Sequence, residues 1–141
     1  MITFELVTLN GIKFGEQVHE VMLPTYEGYI AVFEKHAPLV SLAVPGVISI
    51  RRKSSHSDDM LEHFATNGGV IEVHGNAVRV LVDEADAADE INEKEIEKAL
   101  LAARELRAKA KDQVSLDHAQ QLIDRTSVRL KVADLRRRKR R

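Results

Sequence analysis

The sequence predicts an α+β fold: an N-terminal antiparallel β-sandwich or flattened barrel followed by a C-terminal antiparallel helical hairpin. Three observations predict it. Up to Asp83, apolar residues come in short strand-like runs, at spacings of about ten residues, punctuated by Gly and Pro. Beyond Asp83 they recur at helical spacing. Charge also divides along the second half of the chain. Between Asp83 and Glu97 eight acids face one base, Lys94, and between Arg125 and Arg141 nine bases face one acid, Asp134.

The strands are taken in order. Met1 to Leu9 alternates, with Ile2, Phe4 and Leu6 on one face, and Asn10-Gly11 supplies a turn because both residues tolerate positive φ. Gln17 to Leu23 is a second strand, ended by Pro24. Gly28 to Phe33 is a third. Val47 to Arg51 is β-branched and follows the turn pair Pro45-Gly46. The polar stretch Arg51 to Asp59, with Ser54, Ser55 and Ser57, is a long hairpin loop. Leu61 to Thr66, Gly69 to Val73 and Ala77 to Val82 complete the set, with His74-Gly75-Asn76 turning the last pair.

Ile96, Ala99, Leu100, Ala103, Leu106 and Ala110 then line one face of a helix, capped by Asn92 with Glu95 three residues on. Lys111 to Ser115 breaks the pattern. Asp117, with Gln120, is the expected cap of a second helix whose stripe is Ala119, Leu122, Ile123, Thr126, Leu130 and Ala133. Both stripes are narrow and Ala-rich, which suits close antiparallel pairing but not an independent core. The hairpin is therefore expected to dock, either on the β-domain or on a partner. The predicted boundaries are 1–84 for the β-domain, 85–91 for a linker, 92–135 for the hairpin and 136–141 for a basic tail.

Composition excludes several functions. With 44% hydrophobic residues the chain can build a core, but 4% aromatics and no Trp leave little for a base-stacking platform. Nucleic-acid binding is not expected: only the basic tail favours it, and the acidic stretch opposes it. The absence of Cys removes disulfides, thiolate nucleophiles and Cys-ligated zinc. No apolar run approaches the ~20 residues of a membrane span. Met1 to Asn10 lacks the basic flank and apolar centre of a signal peptide. A soluble intracellular chain is expected, reaching the membrane only through partners.

No catalytic constellation is found, and no cofactor is expected. There is no Gly-x-Ser-x-Gly elbow. Asn67-Gly68-Gly69 leads into a strand rather than a helix N-terminus, so it is a turn or bulge and not a phosphate loop. His19, His56, His63, His74 and His118 are scattered, and His56 and His63 lack the acid neighbours of a metal cage, so no metal site is expected. In His36-Ala37-Pro38-Leu39, Pro38 fixes its own φ and holds Ala37 extended. On the residues alone His36 is a hydrogen-bonded corner histidine.

Three segments in order resemble the epsilon-subunit family of F-type ATP synthases. Gly28 to Gly46 resembles its glycine, hydrophobic strand, His-Ala-Pro-Leu and Pro-Gly pattern. Asn67 to Val82 resembles its Gly-Gly hairpin with a Gly-Asn turn. Leu130 to Leu135 resembles the end of its second helix. Ala31 and Glu34 depart from the family's usual glycine and proline, and the Ser-rich loop is longer than in many members. The resemblance implies a non-catalytic central-stalk subunit at the cytoplasmic face of a bacterial membrane, coupling ion translocation to ATP synthesis. It implies a β-domain that joins the gamma subunit and the ring of c subunits, with Tyr26, Glu27, Gly28, Tyr29 and His36 at the ring-facing end. It implies a hairpin that in some members extends into the catalytic head of alpha and beta subunits and restrains hydrolysis. Here Arg125, Arg129, Arg136, Arg137 and Arg138 would meet acidic segments of that head. Some members bind ATP through an Ile/Leu-Asp-x-x-Arg-Ala motif. At Ile91, Asn92 and Glu95 only Ile91 fits, and a carboxylate facing a triphosphate repels it, so nucleotide binding is not expected. The competing reading is a free-standing β-sandwich interaction module with a helical hairpin.

Overall fold

A computed structural model describes residues 1–139; Arg140 and Arg141 of the predicted tail lie outside the described residues. Eight strands precede two helices: β1 (Ile2–Thr8), β2 (Gly11–Val18), β3 (Glu20–Thr25), β4 (Gly28–Val32), β5 (Leu39–Arg51), β6 (Glu62–His74), β7 (Ala77–Val82), β8 (Ala85–Ala87), α1 (Glu93–Lys109) and α2 (Gln113–Lys139). The strands form one sheet in the order β2-β1-β7-β6-β5-β3-β4, with β8 added on β6. Neighbours are antiparallel except β1 and β7. The terminal strands β2 and β4 do not join, so the sheet is a sandwich rather than a closed barrel.

The two long strands make the sandwich. One half of β5 (Leu39 to Ala43) and the facing half of β6 (Gly69 to His74) lie beside β7, β1 and β2. Their other halves pair outward with β3 and with β8 respectively. Bending there brings inward side chains from every strand into one core, including Phe4, Leu6, Phe14, Val21, Ile48, Phe64, Ile71 and Val80. Phe14 lies 5.7 Å from Phe4 and 6.0 Å from Phe64 between ring centroids, the second contact edge-on. The alternation read in Ile2, Phe4 and Leu6 is the buried face of β1.

Four sequence expectations are corrected. Gln17 to Leu23 is not one strand, because the chain turns at His19 and passes from β2 to β3. Pro24 does not end β3. Its missing N–H falls where β3 and β5 lose register between Met22 and Thr25, so no ladder bond is forfeited. Pro45-Gly46 and Gly68-Gly69 are not turns between strands but the bend inside β5 and β6. A Cβ on Gly46 would fall 2.6 Å from Pro24 Cβ, and one on Gly69 would fall 2.0 Å from the Leu81 carbonyl oxygen. Close approach, rather than a turn, is why glycine stands there.

The fourth correction concerns α2, which begins at Gln113 rather than after Asp117. Asp112 is itself a good cap: its Oδ1 accepts the Ser115 N–H at 2.7 Å and its carbonyl accepts Leu116 N–H at 3.1 Å. That bond from the Ser115 backbone holds the Asp112 carboxyl below its ordinary pKa. Asp117 instead accepts from the Gln113 side chain one turn earlier. The cap of α1 is as expected, with Asn92 Oδ1 accepting from Lys94 and Glu95 N–H at 3.1 and 3.3 Å.

The helices pair antiparallel, shown by the ion pair between Glu93 at the start of α1 and Arg137 near the end of α2. Leu100, Ala103, Ala119 and Thr126 are buried, whereas Leu106, placed in the predicted stripe, is exposed. The hairpin lies folded on the β-domain. Val132 and Ala133 of α2 pack on Val47 and Ala65, the outward residues of β5 and β6, together with Ile91.

Because the Gly69 position abuts backbone rather than a flexible side chain, Gly69→Ala must push β6 from β7. A loss of about 2–4 kcal/mol in urea unfolding is expected, and an unchanged midpoint would contradict this account of the bend.

Candidate partner-binding surfaces

The outward face of the sheet carries an apolar row that strand register assembles from five segments. Leu42 faces Val70, Val70 faces Leu81, Leu81 faces Val7, and Val7 faces Ile12. Four interstrand steps make the row about 19 Å long. Ile12 is 67% exposed, Leu42 60% and Leu81 39%. Two residues along the strands the next row is charged: Glu72 faces Arg79, and Arg79 faces Glu5, with Arg79 Nε 3.2 Å from the Glu5 carboxylate. A contiguous apolar stripe with a polar rim marks an interaction surface more than scattered exposed residues do. Sequence reading missed this row, although the signal was present: Val7 and Leu81 are apolar at the outward positions of strands whose inward positions are apolar too.

The predicted ring-facing residues lie along the edge strand β4. Tyr26 and Glu27 form the β3–β4 turn, closed by Thr25 Oγ1 donating to the Gly28 carbonyl at 2.5 Å. Tyr26 is 66% exposed, and its hydroxyl bonded to Glu27 is held above the usual phenol pKa. Tyr29 is 57% exposed, yet its hydroxyl reaches the bend and accepts the Val47 N–H at 3.0 Å. His36 lies beyond the other end of β4. It is half-buried, and its Nδ1 donates to the Ala37 carbonyl at 2.6 Å. Lys35 beside it has φ 64°, and its N–H donates to Asn76 Oδ1. Four of the five residues are therefore gathered at the β3–β4 turn, with His36 apart beyond the other end of β4.

The five arginines of α2 expected to meet the head are each held within the chain. Glu84 Oε1 lies 2.6 Å from Arg125 Nε and 2.8 Å from an Arg129 terminal nitrogen, and that same nitrogen lies 2.7 Å from Asp86. Arg136 donates to the carbonyls of Ala88 at 2.6 Å and Ile91 at 3.3 Å. Arg137 pairs with Asp134 at 2.5 Å and with Glu93 at 3.0 Å, and these acids, Asp134 first, raise its pKa. Arg138 pairs with Asp134 at 3.2 Å. Glu84, Asp86 and Glu93 of the acidic stretch and Arg125, Arg129 and Arg137 of the basic end, noted separately in the sequence, thus meet within the chain. Above these pairs the seat is looser: a cleft of about 430 Å³ opens between α2 and the bend, lined by Pro45, Asn67, Asp83, His118 and Arg125 among others.

At the degenerate nucleotide motif, Ile91 is buried under α2 and Asn92 is occupied as a helix cap. Among the described residues no group of three or more His, Cys, Asp or Glu could hold a metal ion, and no helix is long and apolar enough to cross a membrane.

Residues 1–88 match the family model described as the ATP synthase Delta/Epsilon chain β-sandwich domain. The sandwich with its docked hairpin thus defines a stalk component of a rotary ATP synthase. The chain is 33% identical over 136 residues to the ATP synthase epsilon chain of Herpetosiphon aurantiacus, covering 96% of both chains. It is 31% identical over 140 residues to that of Chloroflexus aggregans, covering 99% of this chain and 97% of the relative. It belongs to the ATP synthase epsilon chain family, which displaces the reading as a free-standing module. The fold agrees with a chain of the Euglena gracilis mitochondrial ATP synthase, with a TM-score of 0.79 at 20% identity over 94% of this chain and 80% of that one.

Proposed function

We propose that the chain is a non-catalytic rotor subunit whose β-domain, residues 1–84, joins the gamma subunit to the ring of c subunits and couples ion translocation to ATP synthesis. Residues 85–91, the first three of which form β8 at the sheet margin, lead from it into the hairpin 92–135 and the basic stretch 136–141, whose first four residues continue α2. The observation that carries the docking reading is the apolar row Leu42, Val70, Leu81, Val7 and Ile12, an exposed stripe with a charged rim of the kind that buries against a partner. The exposed edge of Tyr26, Glu27, Gly28, Tyr29 and His36 is left for the ring. Association with the cytoplasmic face of a bacterial membrane follows through the complex. A pull-down of the chain from membranes tests this reading, with gamma and the catalytic subunits expected in the eluate. Leu42→Asp with Leu81→Asp should lower gamma recovery about tenfold or more while far-ultraviolet circular dichroism is unchanged. Full recovery would place gamma elsewhere.

The hairpin restrains ATP hydrolysis by extending into the catalytic head, where Arg125, Arg129, Arg136, Arg137 and Arg138 meet acidic segments. A polybasic end contributes roughly 1 kcal/mol per base near an anionic surface. Removing every residue after Leu135 should therefore raise hydrolysis by the assembled enzyme, by about two- to tenfold at low salt and less at high salt. Equal rates at both ionic strengths would remove the charge-based account.

Regulation does not pass through ATP held on the hairpin. Glu95 stands where a phosphate-binding arginine would be needed, and Arg125 and Arg129 are already ion-paired with Glu84 and Asp86. Calorimetry of the isolated chain with millimolar ATP should give no binding isotherm; a saturable one would restore nucleotide sensing.

A further inference from the structure

The acidic segment between β7 and α1 has no part in the docking or inhibitory surfaces, yet it contacts most of the arginines assigned to the catalytic head. Glu84 holds Arg125 and Arg129, Asp86 holds Arg129, Glu93 holds Arg137, and the carbonyls of Ala88 and Ile91 hold Arg136. Lys13 on β2 pairs with Glu90 at 2.7 Å and ties the same segment to the β-domain. We propose that the segment Glu84 to Glu93 is a built-in decoy for the acidic partner surface. It occupies the arginines while the hairpin is docked, so docking and engagement are mutually exclusive, and the decoy's strength sets the fraction of hairpins free to inhibit.

Three observations carry this. One Arg129 nitrogen serves both Glu84 and Asp86, so that edge of the guanidinium cannot serve a third acid, one on a partner, until α2 leaves. The apolar part of the seat is modest, with five buried residues of which Ala65 and Ala133 bury little and four partly buried ones around them, so the ion pairs add a salt-sensitive increment to what holds α2 down. The pairs are only partly buried, with side-chain exposures of 28–38% for Glu84, Asp86, Arg125 and Arg129, so salt and a competing acidic surface can reach them. The decoy is also local in sequence. The acids lie on the segment that leads into the hairpin, so a released hairpin remains beside it and can be recaptured.

The proposal rests on the reading that the basic end of the hairpin engages the catalytic head, and the experiment separates the two. The chain has no Cys, so Ser54→Cys and Val114→Cys place two spin labels alone, on an exposed β-domain loop and at the hairpin tip. Pulsed distance measurement on the isolated full chain gives the docked and released populations. Glu84→Gln with Asp86→Asn should raise the released population about three- to tenfold, and the assembled enzyme carrying them should hydrolyse ATP more slowly. Swapping the charges in full, with Glu84→Arg, Asp86→Arg, Arg125→Glu and Arg129→Glu, should restore docking without restoring inhibition, an outcome that a purely structural role for these residues does not give. These substitutions are cleaner than truncation, which removes Arg136 and Arg137 from both surfaces at once. A distance distribution unmoved by neutralisation overturns the decoy. A distribution that moves while hydrolysis stays constant overturns the head-engagement reading instead.

Discussion

Where Pro45-Gly46 of β5 crosses Asn67 to Gly69 of β6, two thirteen-residue strands bend together without losing register: Ala43 still faces Gly69 and Pro45 still faces Asn67. The bend is possible because Gly46 lets Pro24 approach and Gly69 lets the Leu81 carbonyl approach, and Tyr29 caps the released Val47 N–H. Without it the sheet would be an open ribbon with one apolar face wet. With it the inward residues of both halves meet in a single core around the Phe4–Phe14–Phe64 cluster. The outward residues of the same strands are divided as well. Leu42 and Val70 fall on one side of the bend and Val47 and Ala65 on the other, so one pair of strands supplies both the exposed apolar row and the seat of the hairpin.

The two parts of the chain are held by different means. The β-domain buries eighteen side chains in its main cluster, whereas the hairpin seat buries five. Complete burial of a Val or Ile side chain contributes about 1.5–3 kcal/mol, so Val47, Ile91 and Val132 give a real but limited attachment. Ordering the hairpin on the sheet opposes it. The remaining attachment comes from partly exposed ion pairs, each worth about 0–1 kcal/mol. The β-domain is therefore the rigid element, and the hairpin is the one that moderate changes in charge or salt can release. Such asymmetry is what a subunit needs if it transmits rotation through one part and responds through the other.

How much of this was legible in the sequence depended on the range of the signals. Local signals were dependable: the alternation of β1, the Asn10-Gly11 turn, the period change after Asp83 and the Asn92 cap all follow from neighbours within a few residues. Signals that need a partner strand were misread. Pro45-Gly46 and Gly68-Gly69 look like turns in one dimension, and only the approach of Pro24 and Leu81, distant in sequence, makes glycine necessary there. The start of α2 was placed late because the one apolar residue of Lys111 to Ser115, Val114, is exposed and lies off the helical stripe, although Asp112 was already a competent cap. The apolar row was missed for a related reason: outward apolar residues such as Val7 and Leu81 were visible one by one, but their alignment was not. It runs across strands, joining Ile12 to Leu42 through three others, and no window along the chain contains it. The charge runs were visible but their relation was not, since nothing in sequence says that Glu84 lies against Arg125 and Arg129.

Separation of the two surfaces by the bend has a mechanical consequence. The apolar row belongs to the half of β5 and β6 that pairs with β7, β1 and β2, none of which contributes to the hairpin's apolar seat. Lifting α2 exposes Val47 and Ala65 but removes no hydrogen bond from that half of the sheet. The docking face proposed for gamma can therefore keep its shape whether the hairpin is docked or released. Among the described residues, the ion pairs that tie the hairpin to the sheet margin are those of Arg125 and Arg129 to Glu84 and Asp86, beside and on β8, a three-residue strand at the margin of β6. Release is thus confined to the edge of the fold, where short pairing and exposed charge make it cheap, and the load-carrying strands are not asked to move.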